Sequence, residues 1–73
     1  MDKYIGIDNA KQTFDVYGVT VKEKEEFKQY KQTSSDYQRL IKRFGKDKIY
    51  VMEATGSYYL KLATFLYNEG IAV

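Results

Sequence analysis

Two carboxylates close apolar runs of the same form. Asp8 ends Tyr4-Ile5-Gly6-Ile7, and Glu53 ends Ile49-Tyr50-Val51-Met52. If both runs are strands of one sheet, the two acids come to stand side by side. Like charges at one spot repel unless a cation lies between them. Hard oxygen ligands of this kind suit Mg²⁺ or Mn²⁺ better than zinc. A Mg²⁺ pair about 3.5–4 Å apart can activate water and stabilise the leaving oxygen of a phosphodiester. A strand-end carboxylate can also be a solvated loop residue or a cap, and the residue types alone leave both roles open.

Composition narrows the chemistry further. The chain has no Cys and no His. That excludes disulfides, thiolate and imidazole metal sites, and Ser-His or Cys-His nucleophile pairs. Asp, Glu, Lys and Tyr remain for acid–base or metal work. Twelve basic and ten acidic residues leave a net charge of +2, too small by itself to argue for nucleic acid. No run approaches the roughly 18 apolar residues of a membrane span. The N-terminus lacks the basic-then-apolar layout of a signal peptide. A soluble cytoplasmic protein is the expectation. Eight Tyr and four Phe are expected to serve as core and rim, given the area each can bury.

The positioning elements follow from periodicity. Residues 3–8 read as a strand with Ile5 and Ile7 on one face and Tyr4, Gly6 and Asp8 on the other. Its near-continuous apolarity predicts a central strand covered on both sides. Gly6 leaves room for close approach to the backbone. Residues 13–21 are rich in β-branched and aromatic types and read as a second strand. The short connection before it suits an antiparallel hairpin. Lys22 to Glu25 form a charged turn, and 26–32 form a third strand with the exposed, charged character of a sheet edge. An exposed helix over 22–31 is the competing reading, because the Lys/Glu pattern tolerates it.

Ser34 and Ser35 are N-cap candidates for the next element, with Ser35 and Gln38 fitting a capping box. Tyr37, Leu40, Ile41 and Phe44 make the apolar stripe of a helix over 35–44. Gly45 suits its C′ position. Residues 48–53 form a fourth strand. A strand–helix–strand order implies a parallel crossover, which lays this strand beside the first. Thr55 or Ser57 is expected to cap a second helix over 57–69, with Gly56 serving the tight passage into it and Gly70 ending it. That helix is apolar almost all round and expects partners on most sides. Ile71-Ala72-Val73 reads as the opening of a fifth strand. The 73 residues therefore read as one domain or part of one, near the lower limit for an independent fold. The helix carries more apolar surface than they can cover, so the expectation is the front part of a longer protein or a chain that self-associates.

The overall order is α/β: a three-stranded meander, a helix, a parallel strand, a helix, and the start of a further strand. That is part of the ribonuclease H-like, or RuvC-like, fold. Open α/β sheets place their chemistry at the carboxyl ends of the central parallel strands, where Asp8 and Glu53 fall. Glu53 also precedes a helix N-terminus, which favours negative charge.

Gly6-Ile7-Asp8-Asn9-Ala10-Lys11 with Phe14-Asp15-Val16, and then Val51-Met52-Glu53-Ala54-Thr55-Gly56-Ser57-Tyr58, resemble the N-terminal domain of the DEDD insertion-sequence transposases. That group includes the Piv-type DNA invertases. The resemblance implies a RuvC-like catalytic domain that binds Mg²⁺ through an Asp-Glu-Asp-Asp set. Asp8 matches the first acid and Glu53 the second, and the other two lie further along in such proteins. It also implies DNA as the substrate, a guide RNA as a partner, and a C-terminal domain with a serine nucleophile. Residues 1–73 would thus supply two of four metal-binding carboxylates for DNA strand cleavage and transfer. They are not expected to cut DNA alone.

Other residues carry two readings each. Lys11 follows the first acid and can meet a phosphate or sit in solvent. Lys42, Arg43, Lys46 and Lys48 cluster at the end of the first helix. They can complement its dipole or contact a nucleic-acid backbone. Asp15 is read as structural or solvated. Two rival functions remain. Sugar kinases and actin-like ATPases share the opening strand, but their phosphate-holding turn needs Gly, and Asn9-Ala10-Lys11-Gln12 has none. A non-catalytic transposase remnant acting as an interaction module is the other.

Overall fold

Alternation of apolar and polar side chains lays down a four-stranded sheet with one helical layer. The computed structural model describes residues 3–53 and 57–73. In chain order these are β1 (Tyr4–Asn9), β2 (Thr13–Val19), β3 (Glu25–Lys31), α1 (Ser34–Phe44), β4 (Ile49–Met52) and α2 (Tyr59–Asn68). The strand order is β3-β2-β1-β4. β1 and β2 are antiparallel, as are β2 and β3, while β1 and β4 run parallel. The meander, the crossover and the strand reading of the charged segment all stand. Ala72 makes a parallel bridge to Ile49 and its carbonyl accepts from the Tyr50 N–H at 3.0 Å, so the expected fifth strand opens beside β4.

The core lies on one face. Ile5 and Ile7 of β1, Phe14 and Val16 of β2, Tyr30 of β3 and Tyr50 of β4 pack against Tyr37, Leu40, Ile41 and Phe44 of α1. Leu62 and Leu66 of α2 join the same cluster. The expectation that β1 is covered on both sides is corrected here. Among the described residues both helices pack on the Ile5–Ile7 face. The opposite face shows Tyr4, Tyr17, Phe27 and Val51, each at least half exposed. The period-2 alternation of β1 is that of a one-sided strand, and Tyr4 and Gly6 only made it look continuous.

The helix ends also differ in detail. Thr33, rather than Ser34 or Ser35, caps α1: its backbone is extended and its Oγ1 accepts from the Asp36 N–H at 3.3 Å. Asp36 in turn accepts from the Lys31 N–H at 2.7 Å, a side-chain clasp between strand end and helix start that resembles a capping box. Gly45 ends α1 at φ +100°, where a side chain would be strained. α2 begins two residues later than predicted. Tyr58 already has helical dihedrals and no side chain among the described residues caps the helix, so Ser57 is not its cap. The cap role expected of Thr55 and the passage expected at Gly56 lie outside the described residues. At the far end Gly70, at φ +76°, donates to the Tyr67 carbonyl, and Ile71 donates to that of Leu66. With Ile71 buried, this is a Schellman closure.

Candidate active site at the strand ends

The register of the parallel pair sets Ile5 beside Tyr50, Gly6 beside Val51 and Ile7 beside Met52. Asp8 and Glu53 are the next residues along each strand. Ile7 points into the core, so the pleat sends Asp8 to the opposite face, and Glu53 follows Met52 in the same way. Both acids are exposed. They line one recess of about 490 Å³ with Gly6, Tyr17 and Val51, and no basic side chain lines it. The fold therefore brings together the two carboxylates singled out by the sequence.

Asp15 is paired directly opposite Asp8 on β2, which settles its face. Three carboxylates thus run across β2, β1 and β4. Asp15 is engaged elsewhere, accepting from Gln29 Nε2 at 3.0 Å. Among the described residues no three acids are grouped to share one ion.

Two features complete this end, and the close approach expected at Gly6 is made by Tyr17, a partner that no local pattern named. The first is the floor of the recess. A Cβ on Gly6 would lie 2.6 Å from the Tyr17 ring, so the ring rests on the glycine and walls the recess beside Asp8. The second is a hydrogen-bonded clamp beneath the acids. Asn9 donates to Met52 Sδ at 3.5 Å, and Gln32 Nε2 donates to Asn9 Oδ1 at 2.9 Å and also reaches the Ala10 and Thr13 carbonyls. The Tyr37 hydroxyl donates to Gln32 Oε1 at 2.6 Å. Burial raises the Tyr37 pKa, which keeps the hydroxyl a donor. The residues on either strand adjoining Asp8 and Glu53 are thereby tied to each other and to α1. Asn9 and Gln32 stand 23 positions apart, and no local pattern announces that pairing.

The basic residues fall in different places. Lys11 is exposed in the β1–β2 turn, and Lys42 is exposed on α1. Arg43 makes a bidentate pair with Glu26, at 2.5 and 2.8 Å. That contact lowers the Glu26 pKa and raises that of Arg43. Lys46 meets Glu69 at 3.4 Å, and Lys48 donates to the Val19 carbonyl.

A meander, a crossover helix and a parallel strand, with two acids at the carboxyl ends of the parallel pair, define part of a ribonuclease H-like domain. Residues 5–73 match the IS110-type DEDD family described as Transposase, and the chain belongs to that family. No curated protein matches the chain closely.

Proposed function

We propose that this chain is the N-terminal part of a RuvC-like transposase domain in which Asp8 and Glu53 hold a divalent metal, Mg²⁺ by preference, for DNA strand cleavage and transfer. The observation that carries the reading is their shared recess at the ends of adjacent parallel strands, with no basic side chain among the described residues lining it. The donor set fits: exposed carboxylate oxygens suit a hard divalent ion, and two carboxylates fall short of a six-oxygen shell. Water and further acids, two more in a DEDD set, would complete it. A metal bound there supplies Lewis acidity at phosphoryl oxygens and a nucleophile at neutral pH. The chain's own part is to fix the two carboxylates through the Asn9–Gln32–Tyr37 clamp and to wall one side with Tyr17. By this reading the 73 residues alone do not cut DNA, and DNA with a guide RNA are the partners of the longer protein.

The test is an NMR titration of the isotopically labelled chain with Mg²⁺ and, separately, with ATP. Metal-dependent shifts centred on Asp8, Glu53 and Gly6, lost in Asp8→Asn and Glu53→Gln, are expected. Shifts with ATP in the absence of any response to metal would sink the reading.

A further inference from the structure

We propose that the cleft between the β2–β3 hairpin, β3 and α1 binds the phosphodiester backbone of a nucleic acid, at a site separate from the acid pair. The cleft has a volume of about 500 Å³. Lys22, Lys24, Lys28, Arg39, Lys42 and Arg43 line it, against one acid, Glu26. Half of the chain's twelve basic residues thus face one cleft, although the net charge is only +2, and the rest of the molecule is net acidic. Periodicity builds both walls. Lys24, Glu26, Lys28 and Tyr30 share a face of the edge strand segment. Arg39, Lys42 and Arg43 share a face of α1.

Some of this charge is already matched. Arg43 is held by Glu26, and Arg39 by Asp36 at 3.1 Å. Lys22, Lys24, Lys28 and Lys42 have no carboxylate partner among the described residues. A second observation points to a ligand. Tyr30, only 4% exposed, lines the cleft, and its hydroxyl is buried with no hydrogen-bond partner. Buried hydroxyls are rarely left so. Lys28 Nζ stands 5.7 Å from the centre of the same ring. A phosphate oxygen seated among the four lysines would accept a hydrogen bond from the Tyr30 hydroxyl and neutralise the lysine charge together. Repeating anions that can release their counterions match a row of point-charge lysines.

The sheet separates this site from the acids: Tyr30, level with Phe14 and Asn9 near the carboxyl end of β1, is buried on the face that packs α1, while Asp8 lies on the opposite face. The 20–24 turn lies at the end of the sheet where β1 begins, tied there by the Val21 N–H donating to the Arg43 carbonyl. Asp8 and Glu53 lie where β1 and β4 finish. The cleft is thus a holding site rather than a reacting one, and DNA and RNA backbones offer it the same chemistry.

The test is fluorescence anisotropy of the 73-residue chain with labelled duplex DNA, duplex RNA and poly-glutamate over a salt series. Binding to a nucleic acid is expected, with log K falling linearly in log salt. The Lys28→Gln/Lys42→Gln double variant should weaken it about tenfold or more and reduce the slope by about two, roughly one per lost phosphate contact. Tyr30→Phe should bind severalfold more weakly while melting no lower than the parent. Asp8→Asn/Glu53→Gln should bind as the parent does, so failure of the metal reading would leave this site standing. A preference for RNA or for DNA supports the site and names its source. Unchanged affinity in the double variant, unchanged affinity in Tyr30→Phe, or equal binding of poly-glutamate would overturn the proposal.

Discussion

Gln32 Nε2 donates to Asn9 Oδ1 at 2.9 Å, joining the end of β3 to the last residue of β1. Because Gln32 also accepts from Tyr37 and Asn9 donates to Met52, one side chain links three strand ends and α1. Removing it would leave the Tyr37 hydroxyl and the Asn9 amide short of partners. Gln32→Ala is expected to cost about 1–3 kcal/mol, the penalty of unsatisfied buried groups, measured by urea unfolding. If the acids bind metal, the same variant should weaken that binding by about tenfold, as loss of an outer-shell support does. Full stability in Gln32→Ala would show that the clamp is not structural.

The two acids carry opposite expectations with and without metal. In metal-free buffer, Asp8→Asn should leave stability unchanged or raise it by up to about 1 kcal/mol, because a like-charge neighbour is removed. In Mg²⁺ the parent should gain stability by mass action and the variant should not. Thermal melts at several Mg²⁺ concentrations separate the cases. An equal gain in both proteins counts against Asp8 as a ligand.

Gly6→Ala tests the floor of the recess. The added Cβ meets only the outer end of the Tyr17 ring, which is 60% exposed and can swing away. The fold should hold within about 0.5 kcal/mol, as for a surface change. In the parent, the ring lying on the glycine should move the Gly6 Hα resonances upfield. In the variant the Hα at position 6 should return toward its ordinary position. A parent spectrum with no ring-current shift would place Tyr17 elsewhere.

Helix capping gives a clean contrast. Thr33→Ala should destabilise by about 1 kcal/mol, the usual worth of an N-cap. Ser34→Ala and Ser35→Ala should stay within about 0.5 kcal/mol. Denaturant midpoints of the three variants decide between Thr33 and the serines.

Alkaline pH should unfold the chain. Burial raises the Tyr50 pKa well above its ordinary value, and its hydroxyl donates to the Gly45 carbonyl at 2.6 Å. Burial raises Tyr30 and Tyr37 as well. The native state then holds its protons more tightly than the unfolded state. Stability from these groups is full below the unfolded tyrosine pKa of about 10 and is lost as pH rises through it toward the folded value. Melts between neutral pH and pH about 11, with tyrosinate absorbance as the second probe, should show a falling midpoint and ionisation concurrent with unfolding. Tyrosinate formation in the folded protein near pH 10 at all three positions would contradict this.

Much of the architecture was readable along the chain because its signals are local. A period of two marks Ile5 and Ile7 as one face, and a spacing of three and four marks Tyr37, Leu40, Ile41 and Phe44 as another. Strand–helix–strand order makes β1 and β4 parallel, and the register of that pair then sets Asp8 level with Glu53. Gly70 signalled the end of α2, since a left-handed closure there suits glycine. The cap was misplaced because serine outranks threonine as a cap by type, and only the path of the chain out of β3 selects Thr33.

Residue order and spacing thus determined the elements, their sequence in space and the two acids, since pleat and helical repeat act over a few residues. Tertiary structure decided what depends on pairs far apart in the chain. Register laid Tyr17 on Gly6, the turn out of β3 put Gln32 against Asn9, and packing of α1 beside the edge strand gathered six basic residues into the cleft that Tyr30 lines. Among the described residues it also set both helices on one face of the sheet, because α1 and α2 bury their stripes against the same row of Ile5, Ile7 and Tyr50.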